Sequence, residues 1–226
     1  MERNPFDLLD AEMVRLDHFY AGLADPGWRE PTRCAGWDRK DLLAHLCGVE
    51  DYTRACLHDT LDDYLAEVKA SGGYARYNDV VVRARADDPP DKLLAEWRAK
   101  AADNHRRLRE RGPDATMTTS VGPYPLVRQS FYLACEKAIH ADDAGVPVSA
   151  GERSGRLAWR ATFGLQALGE SAPQVRVEGG DGSYTVTLKD TSATLSEEDF
   201  VEATSGRLPA DHPVPAEVRG ALAVLA

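Results

Sequence analysis

Nowhere in this 226-residue chain do the roughly 18 consecutive apolar residues of a membrane helix follow one another. Its glycines form neither a GxGxxG nor a GxxxxGK[ST] pattern, so nothing favours a nucleotide-phosphate site. No GxSxG elbow occurs, which removes the usual serine-hydrolase framework. Positive charge is in short supply, 27 Lys and Arg against 37 Asp and Glu for a net charge of −10. A binder that works by neutralising nucleic-acid phosphates is therefore disfavoured, because its main affinity term needs a basic surface. The four cysteines, Cys34, Cys47, Cys56 and Cys135, include no CxxC pair. The start, Met1 to Asp7, has no basic cluster leading into an apolar run. Both features predict reduced thiols in a cytoplasmic protein with no export signal or membrane span.

What is present reads as folded: 43% hydrophobic and 28% charged residues, in a chain long enough for one large or two modest domains. Leu9, Met13, Leu16, Tyr20 and Leu23 recur at spacings of three and four, which predicts a first helix ending before Asp25-Pro26-Gly27. A second helix starts at Asp38, with Asp41 favouring its positive end and Trp37 placed to staple onto Leu42, and runs to about His58. A shorter segment spans about Tyr74 to Arg85. Leu93, Leu94, Trp97, Ala101 and Leu108 define another helix, stopped by Gly112-Pro113, and a last one runs from Pro123–Pro125 to Ala144. Four long helices with antiparallel connections imply a bundle.

After Pro147 the pattern changes. Val148 to Arg156 reads as a linker and Leu157 to Leu168 as a helix. Val175 and Val177, a turn at Gly179-Gly180-Asp181-Gly182, then Tyr184, Val186 and Leu188 predict a β-hairpin. Ser196 with Asp199 opens a helix through Thr204 that Gly206 closes, and Val214 to Leu225 fits either a helix or a packed strand. The expected fold class is α+β, a helical bundle over 1–147 followed by a smaller α/β domain over 154–226.

The last bundle helix carries Glu136 and His140 four residues apart, one turn, so both heads leave the same face. His45, on the second helix among Leu42, Leu43, Leu46 and Val49, offers a third donor from a facing element. Two imidazoles and a carboxylate suit zinc and equally other divalent metals such as nickel or iron, and three protein donors leave a position open. The same spacing also serves an ordinary helical hydrogen bond. Burial weighs toward ligation, since three unpartnered ionisable groups inside an apolar bundle cost several kcal/mol. Asp143, three residues after His140, is placed to accept from that imidazole. Cys47 and Cys135, two and one residues from the candidate ligands, point away from the ligand face. His58, His105 and His212 fit no ligand pattern. The basic run from His105 to Arg111 reads as a solvated helix end. Arg54, Arg83 and Arg207 are undecided as substrate-binding residues, and Trp97, Tyr124, Phe131 and Tyr132 line a pocket or fill a core.

The segment Pro31-Thr-Arg-Cys-Ala-Gly-Trp-Asp-Arg-Lys-Asp-Leu-Leu-Ala-His45-Leu-Cys-Gly-Val-Glu50 resembles the signature of the mycothiol-dependent maleylpyruvate isomerase family, within the DinB-like metalloprotein superfamily. Glu136-x-x-x-His140-x-x-Asp143 is similar to its second signature, while Asp199-Phe200 and Ser205-Gly206-Arg207 are fainter echoes in the second domain. The resemblance implies a DinB-like four-helix metal bundle joined to a sterol-carrier-protein-like α/β domain. It further implies that His45, Glu136 and His140 hold zinc or another divalent metal, with Asp143 behind them. By the same resemblance, mycothiol is the cosubstrate of an isomerase or thiol transferase acting on a small electrophile. Two rivals stand beside this: a metal-dependent hydrolase or amidase that activates water, and a non-catalytic small-molecule binder. Nothing in the chain indicates a nucleic-acid or membrane partner, and the oligomeric state is open.

Overall fold

The computed structural model describes residues 4–180 and 182–225. Met1 to Arg3, at the start considered above, and Asp181, in the expected hairpin turn, lie outside the described residues. The chain divides into two compact units, Met1–Val146 and Pro147–Ala226.

In the first unit, α1 (Pro5–Ala21) is started by Asn4, whose side chain accepts from the Phe6 N–H, with Pro5 at the first helical position. A 3₁₀ turn (Asp25–Arg29) leads to α2 (Arg39–Leu57). Asp38 and Asp41 close a reciprocal capping box at the α2 N-terminus, each side chain accepting from the other's backbone N–H, a device worth about 1 kcal/mol. Next come α3 (Leu61–Ser71), α4 (Tyr74–Arg83), α5 (Pro90–Arg111), a hairpin of β1 (Thr116–Thr119) and β2 (Gly122–Pro125), and α6 (Leu126–Asp143). Gly145, at φ +76, takes the left-handed conformation that stops the chain after α6.

The bundle consists of α1, α2, α5 and α6: α1 packs along α6 and α5, and α2 along α5. Leu16, Tyr20, Leu42, Leu43, Leu46, Leu93, Trp97, Ala101 and Ala141 form its buried centre, with Trp37 packed at the edge. Trp97, wholly buried, is core rather than pocket wall.

Several elements of this unit depart from the sequence reading, the hairpin strands and α3 among them. The helix α3 stands between the expected second and third helices; its Leu61, Tyr64 and Val68 repeat at helical spacing, with Leu61 and Val68 buried. Pro123 and Pro125 belong to a strand rather than a helix start. A two-stranded ladder tolerates them because, two residues apart, both stand at the same kind of position and need not donate across it.

The second unit is α7 (Ala150–Ser171), an antiparallel sheet ordered β3 (Val175–Gly180), β4 (Ser183–Leu188) and β5 (Thr191–Ser196), then α8 (Glu197–Thr204) and α9 (Ala216–Leu222). Most of the stretch read as a linker is the start of α7. A buried stripe of Arg156, Trp159, Arg160 and Phe163 fixes the helix body, and extending a formed helix backwards by a turn or two is cheap compared with nucleating one. The hairpin pairs Val175 with Leu188 and Val177 with Val186, and β5 adds a third strand that alternation alone had not marked. Ser196 caps α8 by accepting from the Asp199 N–H, and the tail is helical. Tyr184, Val186, Leu195, Phe200, Val201, Val218 and Leu222 form this unit's core. Among the described residues no helix is long and apolar enough to cross a membrane.

Candidate metal centre

Two helices and one loop build the centre, all within the first unit. The loop Pro31–Asp38 is closed by a bridge between Pro31 and Asp38 and by the Thr32 N–H and hydroxyl, both donating to the Trp37 carbonyl. It is fixed to the end of α6 by the Arg33 N–H, which donates to the Asp143 carbonyl at 3.0 Å. Arg39, the first residue of α2, donates from Nε to the Ala144 carbonyl at 2.9 Å, a cation seated where the α6 dipole is negative. These contacts hold the α2 N-terminus against the α6 C-terminus, and one turn further in the candidate ligands meet.

His45 Nε2 lies 3.1 Å from His140 Nε2 and 3.5 Å from Glu136 Oε1, and His140 Nε2 lies 3.2 Å from the same oxygen. Donor atoms about 2.0–2.1 Å from a tetrahedral ion stand about 3.3 Å apart. The three separations bracket that value. Two ring nitrogens and a carboxylate oxygen facing one another need either shared protons or a cation between them, so residues and geometry fit a divalent metal. His45 and His140 are buried, whereas the Glu136 side chain retains 19% exposure. Glu136 is thus the most accessible of the three. Tyr132, one turn before Glu136 on α6, is 40% exposed, and the Glu136 charge beside it pushes its phenol well above its ordinary value.

Burial pulls the His45 imidazole below its ordinary value despite the carboxylate beside it. His140 is also buried, but the Glu136 charge and the bond to Asp143 outweigh desolvation and raise it well above. Burial pushes the Glu136 carboxyl up, and the two imidazoles more than reverse this, holding it far below the usual range. Glu136 and His140 thus favour each other's charged forms, whereas burial disfavours a charge on His45.

Around these atoms the site is tightly supported. His140 donates from Nδ1 to Asp143 Oδ2 at 3.1 Å, and that carboxylate is fully shielded. This leaves Nε2 facing the other two donors. The Trp37 ring lies on His45 at 5.2 Å between centroids, so the residue read only as a helix staple also walls the site. Cys34 was missed. Its Sγ donates to Asp143 Oδ2 at 3.3 Å and lies 3.9 Å from His140 Nδ1, making a second convergent group of Cys34, His140 and Asp143. Its signal was its place in the Pro31–Glu50 signature, but a loop residue shows no periodicity.

Also missed was a buried ionic cluster nearby, in which the Lys137 ammonium pairs with Glu50 Oε1 and Asn104 Nδ2 donates to Glu50 Oε2 at 2.8 Å. Its signal was in the sequence, since Glu50 and Lys137 fall on the stripes carried by Leu43, Leu46, Leu133 and Ala141. Cys47 and Cys135 are buried apart from the convergent groups. The basic helix end is neutralised locally, Arg106 and Arg107 by Asp103 and Arg109 by Asp7 and Asp10. His105 donates to Asp10, and Arg83 is an exposed partner of Asp79.

The sequence model of the mycothiol maleylpyruvate isomerase N-terminal domain matches residues 9–145, well over half of the chain and the whole of the region that builds this centre. The chain belongs to the mycothiol maleylpyruvate isomerase family. No curated protein and no solved structure matches it. Within the matched family domain lie the loop, both helices and all three convergent donors.

Proposed function

We propose that this family member is a cytoplasmic enzyme that uses a divalent cation, zinc by its donor set, and mycothiol to isomerise or thiolate a small electrophilic acid. The observation that carries the reading is the convergence of His45 Nε2, Glu136 Oε1 and His140 Nε2 at 3.1–3.5 Å, inside a domain whose family is named for a mycothiol-linked isomerase. A divalent cation held by these three would lower the pKa of an incoming thiol, ordinarily about 8.5 and so mostly protonated at neutral pH, releasing its proton to solvent and leaving a thiolate nucleophile.

The chain's own residues define what surrounds that chemistry. Asp143 fixes the tautomer and tilt of His140 by accepting from Nδ1. Trp37 packs over His45. Glu136 and Tyr132 are the more accessible side chains, beside which a thiol and an acid substrate enter. Addition of the thiol sulfur to a double bond conjugated with a carboxylate turns it into a single bond about which the halves rotate. Expulsion of the same thiol restores the double bond with no net thiol consumed, whereas retention of the new C–S bond is thiol transfer. In both cases orientation of two bound reactants is the protein's main contribution.

The test is turnover of maleylpyruvate by zinc-loaded protein with and without mycothiol. Activity that requires both is expected. Full activity without thiol would overturn the reading in favour of water activation, and protein that binds no metal and whose His140→Ala variant is unchanged in fold and activity would leave no role for the centre.

A further inference from the structure

We infer that the buried Glu50–Lys137–Asn104 cluster is a positioning device that holds α2 and α6 in the register at which their metal donors converge. The inference rests on the metal reading above.

The two charged members come from the same two helices as the ligands: Glu50 follows His45 on α2, and Lys137 stands next to Glu136 on α6. Both are 1% exposed, and Lys137 is among the largest fully buried side chains of the chain. The cluster is closed. Glu50 gives one oxygen to Lys137 and the other to Asn104 of α5, whose Nδ2 also reaches the Glu50 carbonyl at 2.9 Å.

Stability is a poor reason for such a pair. Desolvating two charges offsets most of their attraction, and well-packed apolar residues of similar size commonly serve as well or better. Directionality is a better one, because an apolar seam tolerates sliding whereas an ammonium must meet a particular oxygen. The need for it is visible in the packing. Among the described residues the closely packed bundle pairs are α1 with α6, α1 with α5 and α2 with α5; α2 with α6 is not one of them. Beside the apolar cluster they share, these two helices are linked by polar side chains: the Arg39 bond to Ala144 at one end, the ligand triad, and the Glu50–Lys137 pair inside. His45 and His140 sit between two polar clamps. A slip of one residue along a helix moves a donor by about 1.5 Å, enough to break a constellation whose separations span only 3.1–3.5 Å.

The test compares the full-length wild type with Glu50→Leu/Lys137→Met by Co²⁺ titration followed through its d–d absorption, Zn²⁺ competition against a chromophoric chelator, and thermal melting. The expected result is a melting temperature equal to or above wild type with a metal Kd raised at least fivefold, a split that a merely structural pair does not produce. A smaller change in Kd overturns the inference. A companion, Glu50→Gln/Lys137→Met, keeps an acceptor for Asn104 and removes only the cross-helix link. It is expected to show the same loss, and an unchanged Kd in this variant overturns the inference even if the first variant fails to fold. Wild-type protein that takes up neither ion overturns the metal reading itself, an outcome distinct from wild type and variants binding alike.

Discussion

Removing the Asp143 carboxylate tests whether the support behind His140 matters as the geometry demands. In Asp143→Ala the His140 Nδ1 donor loses its acceptor at 3.1 Å, and Cys34 loses the one at 3.3 Å. A buried donor left unsatisfied costs about 1–3 kcal/mol. That cost weighs on the state in which the ring is fixed for ligation, because a free ring can turn to find another partner. At about 1.36 kcal/mol per tenfold, the loss corresponds to a metal Kd raised about 5–160-fold, which spans the range of about 10–100-fold for residues that orient a ligating histidine. Asp143→Asn keeps one acceptor oxygen and is expected to lose less than tenfold. Competition of the purified variants against a chromophoric zinc chelator reads both values, with circular dichroism verifying the helices. An alanine variant that stays helical and binds zinc within threefold of wild type would refute the reasoning.

Other perturbations address separate parts of the molecule. Native protein treated with a small aromatic disulfide reagent should label one thiol fast and three slowly, since Cys34 is partly accessible while Cys47, Cys56 and Cys135 are at most 2% exposed; rapid labelling that persists in Cys34→Ser would contradict this. At Gly48 an added Cβ would come 2.8 Å from Cγ1 of the β-branched Val81 on α4. Overpacking costs about 1–3 kcal/mol and relief of helical glycine returns about 1 kcal/mol, so Gly48→Ala should lose about 1 kcal/mol in urea unfolding, recovered in part by Val81→Ala; a stabilised Gly48→Ala would show the contact to be soft. Despite the opposing effect of burial, Lys137 and His105 hold the Glu50 carboxyl below its ordinary 4.5, so its contribution is complete above that value and disappears as pH falls through the lower folded value. Glu50→Gln should cost about 3–5 kcal/mol at pH 7 by stranding Lys137, and its stability should fall less steeply than wild type between pH 5 and pH 3; equal slopes would remove Glu50 from the acid transition.

Local signals were readable where chemistry and periodicity coincide. Asp38 and Asp41 announce a capping box from three residues' spacing, Ser196 and Asp199 mark the start of α8, and Glu136 with His140 share a face because one turn separates them. The α+β class followed from the change of pattern after Pro147, where helical spacing gives way to alternation. Elements set by weaker local preference were not readable. The helix α3, the proline-bearing β2 and the third strand β5 depend on the surface each is packed against, and the first turns of α7 depend on a buried stripe lying further along the chain.

The residues that fold the chain and the donor types that suit a divalent ion are determined by the sequence alone, because helical spacing is a local property. Which of those donors meet was decided by tertiary structure. His45 and His140 are 95 positions apart, and only the packing of α2 and α6 in one bundle sets their nitrogens 3.1 Å from one another. The same holds for Cys34 behind His140, Trp37 over His45 and Lys137 against Glu50. Each is an ordinary residue in its own segment, and its role comes from a partner that the folded chain alone brings within reach.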